Sequence, residues 1–164
     1  MQKFLLIGLA FLFAFPVFSQ ERKSPHDTVQ TKNIKVTYGR PYKKGREIFG
    51  GLEKYGKVWR TGADEATQIS FAKDGTFGGK PVKAGTYTLF TIPGEKEWTI
   101  ILNSQLGQSG AFGYDKNKDK DVLHVTVPAK QLDSVVEQHT IRFNEGNMII
   151  EWDKTQVSIP VNFD

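Results

Sequence analysis

The chain contains no cysteine among its 164 residues. Disulfide bonds, thiol catalysis and thiolate-bound metals are therefore excluded, and so is a lipid anchor attached through an N-terminal cysteine. The excess of positive over negative charge is also small: the chain has 22 basic and 18 acidic side chains, a net charge of +4. Nucleic-acid binders usually concentrate basic side chains on one face, so this balance predicts no nucleic-acid partner.

Long apolar runs are confined to the start of the chain. Lys3 is followed by an almost entirely apolar stretch from Phe4 to Phe15. About 7–15 apolar residues are typical of a secretory signal, whereas a membrane-spanning helix needs about 20. We predict a cleaved signal peptide over residues 1–19 and a single domain over residues 20–164. The domain is expected to be periplasmic or secreted, with no membrane span after cleavage; an uncleaved anchor is the alternative.

Helical periodicity is scarce, and alternation of apolar and polar residues is common. Ile34–Tyr38 and Trp98–Leu102 alternate in this way, and turn pairs such as Asp74-Gly75 separate the runs. The pattern predicts an all-β fold: a single antiparallel β-sandwich, jelly-roll-like, with about 8–10 short strands. A helical turn is predicted only at Ala129–Val136. Gly85, which precedes a strand, is predicted to have a positive φ.

Basic charge is concentrated between residues 40 and 60. Seven basic and two acidic side chains give this segment a local net charge of +5. Arginine pairs readily with carboxylates, and a tryptophan ring can stack on a sugar or on a guanidinium group. We therefore predict an exported binding module for a small polar or anionic ligand, either a glycan or a carboxylate. The candidate ligand-binding residues are Arg40, Arg46, Trp59, Arg60, Asp64, Glu65 and His26.

Two other interpretations remain open. The three arginines could instead be paired in a structural network with Glu47, Asp64 and Glu65, since such networks resemble sites in their electrostatics. A hydrolase or lyase-like enzyme would use His26, or the Asp64–Glu65 pair, as its base. Adjacent strand residues point to opposite faces, so that pair would share a site only in an irregular loop, and enzyme activity is not favoured. A purely structural or partner-binding role and the oligomeric state are also left open.

No metal or cofactor is predicted. The three histidines, His26, His124 and His139, lie far apart without a local ligand partner. The acidic stretch Asp115–Asp121 lacks the glycine and the final bidentate acid of a calcium loop. His139 shares the parity of the apolar residues that follow it, which indicates a hydrogen-bonded histidine in the core.

Several longer motifs resemble one known family. The stretches "SPHDTV", "YGRPYKKGREIFGGL", "YGKVWRTGADEAT", "AGTYTLFTIPGEKEWTIILN" and "IEWDKTQVSIPV" are similar to the bacterial domain-of-unknown-function family numbered 2911. The resemblance covers about residues 24–161. It implies an exported β-sandwich of the kind found in Bacteroidetes-type bacteria, and it implies no particular activity.

Overall fold

The computed structural model describes residues 24–163, so the predicted signal peptide over residues 1–19 lies outside the described part. Within it the strands are β1 (His26–Gln30), β2 (Ile34–Gly39), β3 (Gln68–Phe71), β4 (Gly75–Phe77), β5 (Lys80–Val82), β6 (Gly85–Ile92), β7 (Glu97–Asn103), β8 (Asp121–Asn144) and β9 (Asn147–Asn162). A helical turn, α1 (Tyr114–Asn117), and a 3₁₀ turn precede β8. No helix in this range is long and apolar enough to cross a membrane.

The nine described strands form one antiparallel sheet. Their order is β1-β2-β3-β6-β7-β8-β9-β4-β5, so most neighbours in space are also neighbours in sequence. The exception is the β4–β5 hairpin, which pairs with β9. The sheet is not closed, and its apolar faces enclose a common core. The all-β, sandwich-like fold and the strand number are confirmed.

Two strands, β8 and β9, are much longer than the alternation indicated, and β8 joins two parts of the sheet. β8 pairs with β7 through Asp121–Pro128 and with β9 through residues 129–144. The ladder shifts register on both sides of Val136. The predicted helical turn at Ala129–Val136 is wrong, because this stretch continues β8. Such irregularities shift the phase of the alternation, which is why the apolar spacing there looked helical.

β6 and β7 are apolar on both faces. Leu89 and Ile100 point into the main core, while Phe90 and Ile101 contact a second, smaller cluster on the outer face. Side chains alternate between the two faces of a strand, so continuous apolar runs need a cover on each side. The segment 104–117 supplies the outer cover, chiefly through Tyr114. The same segment borders the candidate site.

Gly85 begins β6 with a φ of 147°, which confirms the predicted positive value. A Cβ at this position would be in ordinary contact with the Tyr87 side chain, at 3.5 Å or more, so the cost of a side chain is conformational rather than steric. Gly85→Ala should therefore lower the free energy of unfolding by about 1 kcal/mol in urea melts.

The matched control is Gly113→Ala. Gly113 has a φ of −89°, and a Cβ there would have no neighbour closer than 3.6 Å. The control should leave stability unchanged or raise it slightly. Equal effects of the two substitutions would contradict the conformational explanation for Gly85.

Candidate functional site

The charged stretch between β2 and β3 is anchored from inside by apolar residues. Ile48, Phe49 and Trp59 are buried in the main core. Trp59 also exchanges two backbone hydrogen bonds with Thr91 of β6, at 2.7 and 3.0 Å. The stretch is therefore fixed to the sheet, and its charged side chains project from a rigid base.

Trp59 is part of an aromatic cluster and not a surface platform. Its ring stacks on Trp152 at a centroid distance of 6.0 Å and meets Phe49, Trp98 and His139 edge-on. Its Nε1 donates to the Gly62 carbonyl oxygen. The expectation that Trp59 offers a ring face to a ligand fails, because only 3% of the residue is exposed.

Three threonines hold the loop that follows Trp59. Thr61 has a φ of 58°, an unfavourable value for a β-branched residue. Its hydroxyl donates to Thr91 Oγ1, and its carbonyl accepts from Thr67 Oγ1 at 2.9 Å. Strained backbone persists where the surroundings fix it in several ways, and such positions are common at functional sites. The loop from Thr61 to Thr67 is thus a preorganised element.

The three candidate arginines do not converge. Arg40 donates to Asp27 Oδ2, the His139 carbonyl and Thr140 Oγ1 at 3.0–3.1 Å. Arg46 donates to the Lys43 and Tyr42 carbonyls. Arg60 donates from Nη1 to the Asp64 carbonyl at 3.0 Å. The three side chains thus share no hydrogen-bond partner within the described part of the chain.

The alternative network has different partners from those expected. Among residues 24–163, no ion pair links the three arginines to Glu47, Asp64 or Glu65. Two of the arginines, Arg60 and Arg46, act instead on the carboxylate of Glu53. Burial raises the pKa of Glu53, and the positive charges of Arg60 and Arg46 oppose this rise. The sequence had indicated Glu53 only as part of the local charge balance.

Arg40 and Arg46 should differ in their effect on stability. Arg40→Ala removes three hydrogen bonds, one of them to a carboxylate, and should cost about 2–3 kcal/mol. Arg46 is exposed and bonds only to carbonyls of its own turn, so Arg46→Ala should cost less than about 1 kcal/mol. Urea melts of both variants test this. A loss at Arg46 as large as that at Arg40 would contradict it.

His26 brings the two adjacent acids together. Its Nε2 lies 3.3 Å from Asp64 Oδ2 and 3.4 Å from Glu65 Oε2. Adjacent carboxylates diverge on a regular strand, but Asp64 has a φ of 62° and lies in an irregular loop. The geometric objection to a shared site at Asp64 and Glu65 is thereby removed.

Two facing glycines make this loop possible. A Cβ on Gly39 would lie 2.3 Å from the Ala63 carbonyl oxygen, and one on Gly62 would lie 2.9 Å from the Gly39 carbonyl oxygen. Only residues without side chains allow the loop to lie directly on the end of β2. This close approach positions Asp64 and Glu65 beside His26.

An open cleft of about 520 Å³ lies next to these groups, on the outer face of β1–β3. Thr28, Thr37 and Gln68 face one another in register across the three strands. They lie on the face opposite to the buried Val36 and Ile69, and they form the floor of the cleft. The remaining lining residues are His26, Asp27, Tyr38, Glu65 and Ala66.

Of the candidate residues, only His26 and Glu65 line this cleft. Asp64 contacts His26, and Trp59 is in the core. Arg46 borders a different cleft of about 330 Å³ with Tyr42 and Lys44. The floor residues were missed by the sequence reasoning. Their outward-facing polar pattern was the available signal, but it is the same pattern that any solvated strand shows.

The three histidines lie in separate environments. His26 is at the cleft, the exposed His124 bonds to Asp121 Oδ2 at 2.8 Å, and His139 is fully buried. No group of three or more potential ligand side chains within residues 24–163 has a geometry suited to a metal ion.

His139 lies in the core, as its parity indicated, but its ring is not hydrogen-bonded as expected. Its ring contacts Tyr38, Trp59 and Trp152, and neither ring nitrogen has a hydrogen-bond partner of normal geometry among residues 24–163. Burial lowers the pKa of His139 to about 3; the charge of Arg40 acts in the same direction, and the backbone of Gly39 opposes it. His139 is therefore neutral at physiological pH.

These features define a class of protein: an all-β, sandwich-like domain with a preorganised loop beside a polar cleft on one outer face. Its family is shown by a model described as "Protein of unknown function (DUF2911)", which matches residues 19–161. The chain belongs to this family. No curated protein and no solved structure matches it.

Proposed function

We propose that the protein is an exported binding module whose cleft on β1–β3 holds a hydroxyl-rich, uncharged ligand, a glycan. The observation that carries the proposal is the floor of Thr28, Thr37 and Gln68, a row of hydrogen-bonding side chains that line an open cleft. Hydroxyl and amide side chains both donate and accept, which matches the hydroxyl groups of a sugar.

The charges around the cleft support a neutral ligand over an anionic one. Asp27 and Glu65 line the cleft together with His26. The Arg40 guanidinium is engaged by Asp27 at 3.0 Å. An anion placed here would face the two carboxylates, and that is unfavourable. The carboxylate ligand considered from the sequence is therefore the weaker choice.

Binding is tested with a panel of neutral mono- and oligosaccharides. A ligand present at about 100 times its dissociation constant should stabilise the wild type by about 2.7 kcal/mol. Thr37→Val keeps the shape of the side chain but removes its hydroxyl, and should weaken binding by roughly 2- to 10-fold.

The control for Thr37→Val is Thr126→Val, an exposed threonine on β8 outside the cleft lining. It should bind as the wild type does. A wild type that responds to no sugar, or a panel in which only carboxylates bind, would overturn the proposal.

A second candidate, a hydrolase or lyase-like enzyme, is favoured by the geometry at His26. With a proton on Nε2 held between Asp64 and Glu65 at 3.3 and 3.4 Å, Nδ1 is left as the basic nitrogen. A carboxylate that orients an imidazole is a common arrangement for general-base catalysis. Turnover of chromogenic glycosides that disappears in His26→Gln would support it, and turnover unaffected by that substitution would exclude this base.

Export rests on the predicted signal peptide. Its apolar run has the length of a secretory signal, and the family match begins at residue 19, at the end of the predicted signal peptide. Intact-mass measurement of the expressed protein should find a chain beginning near Gln20. A mature protein that retains residues 1–19 would contradict this.

A further inference from the structure

Phe112 is the most exposed large apolar side chain of residues 24–163. It is 91% exposed, whereas the next values for such residues lie near half. Its neighbours behave differently, because Ala111 packs against the outer cluster and Tyr114 is buried in it. Covering a phenylalanine ring gains free energy, and the fold itself does not use this one. An aromatic ring held outward on an anchored segment is available for binding a ligand.

The Phe112 ring lies close to a guanidinium group. Gly110 contacts both groups and has a φ of +69° and a buried backbone. A Cβ on Gly110 would lie 2.9 Å from Arg60 Nη1 and 3.2 Å from Phe112 Cδ2. The absence of a side chain therefore allows the arginine and the ring to lie side by side against the same backbone.

The Phe112–Arg60 pair is connected to the cleft by direct contacts. Arg60 Nη1 donates to the Asp64 carbonyl at 3.0 Å, and the Asp64 carboxylate lies 3.3 Å from His26 at the cleft. The backbone of Ala66, which lines the cleft, donates to the Gln108 carbonyl in the segment that carries Phe112. The cleft and the Phe112–Arg60 pair thus border the same preorganised loop.

We propose that Phe112 and Arg60 form a second subsite that stacks one pyranose ring of an oligosaccharide whose adjoining unit occupies the cleft. The inference rests on the proposed glycan binding and deepens it. A pyranose has an apolar C–H face that packs on an aromatic ring, and hydroxyl groups at its rim that accept hydrogen bonds from a guanidinium. An arginine has five N–H donors in a planar fork, of which one contacts the Asp64 carbonyl.

The subsite makes a prediction that depends on ligand length. Phe112→Ala should weaken binding of an oligosaccharide by roughly 2- to 10-fold, as expected for loss of one ring contact. A monosaccharide that occupies only the cleft should bind equally well to the variant and the wild type. Phe112→Trp should restore binding of the oligosaccharide. Because Phe112 is exposed, these variants are expected to fold, and their melting temperatures check this.

The matched control is Leu106→Ala, a partly exposed apolar residue of the same segment, 41% exposed. It should leave binding of both ligands unchanged. Calorimetric titration of the four proteins, with a tri- or tetrasaccharide and the corresponding monosaccharide, separates the outcomes. A wild type that binds neither sugar overturns the proposed function and this subsite together.

Other outcomes overturn the subsite alone. If the wild type binds and Phe112→Ala matches it for the oligosaccharide, the function stands and the subsite is wrong. Equal losses for the oligosaccharide and the monosaccharide would also contradict it. A third arm uses phosphatidylcholine vesicles: sedimentation with vesicles that is lost in Phe112→Ala, with sugar binding intact, would assign the ring to a lipid surface instead.

Discussion

Between pH 6.5 and about pH 3, His139 alone should lower the free energy of unfolding by roughly 4 kcal/mol. Its pKa in the folded protein is about 3, mainly because burial disfavours the charged ring, whereas the unfolded chain has the ordinary value of 6.5. The unfolded state therefore binds more protons below pH 6.5. The stabilisation is complete above that pH and is lost progressively as the pH falls towards 3.

Within residues 24–163, the groups around His139 leave it no acidic partner. Its ring faces Tyr38, Trp59 and Trp152. The charge that acts on it is that of Arg40, whose Nε donates to the His139 carbonyl at 3.1 Å and which is itself paired with Asp27. A protonated imidazole would thus be buried among aromatic rings next to a guanidinium.

His139→Phe tests this expectation. It keeps an aromatic ring of similar size and removes the titrating group, so the decline in stability between pH 6.5 and 3.5 should become shallower. Urea melts at several pH values give the comparison. Trp152→Phe is the control, because it disturbs the same cluster without changing a titratable group and should lower stability equally at each pH. Parallel pH profiles for His139→Phe and the wild type would contradict the assignment.

Trp59→Ala should reduce the free energy of unfolding by about 3–5 kcal/mol, the usual cost of deleting a large buried ring. The substitution removes the stack on Trp152, the edge contacts to Phe49 and Trp98, and the hydrogen bond to the Gly62 carbonyl. That last bond helps to hold the loop beside the cleft. Trp59→Ala should therefore also weaken the attachment of this loop to the sheet.

The comparison for Trp59→Ala is Trp59→Phe. It keeps a ring in the cluster but loses the Nε1 donor, and it should cost clearly less than the alanine substitution. Denaturant melts report stability, and amide exchange at Ala66 reports the loop. If Trp59→Ala cost less than about 1 kcal/mol, the ring would not be a core element and its role as a ligand platform would return.

The fold was predictable where the alternation is regular. Ile34–Tyr38 and Trp98–Leu102 lie in strands because each places its apolar side chains on the core face. The error at Ala129–Val136 has a physical cause: pairing with β9 satisfies its backbone, and two register shifts displace the apolar spacing. A single sequence does not reveal such a ladder, since the partner lies far along the chain.

The candidate site was predictable only in part. The sequence singled out His26, Asp64 and Glu65 as candidate residues, and the structure brings these three together. Trp59 was misassigned because a tryptophan beside charged residues has the same composition in a core as in a site. Thr37 is not distinctive in the sequence, because only its register with the neighbouring strands places it in the floor of the cleft.

The two long strands also affect how the molecule unfolds. Because β8 hydrogen-bonds to β7 at one end and to β9 at the other, neither side of the sheet can detach from β8 without breaking one of these two ladders. A domain whose two sides share one strand should open as one cooperative unit in native-state hydrogen exchange, with little independent opening of either side. Its folding rate should also be limited by the distant strand pairings that β8 makes, as in other β-rich domains dominated by non-local contacts.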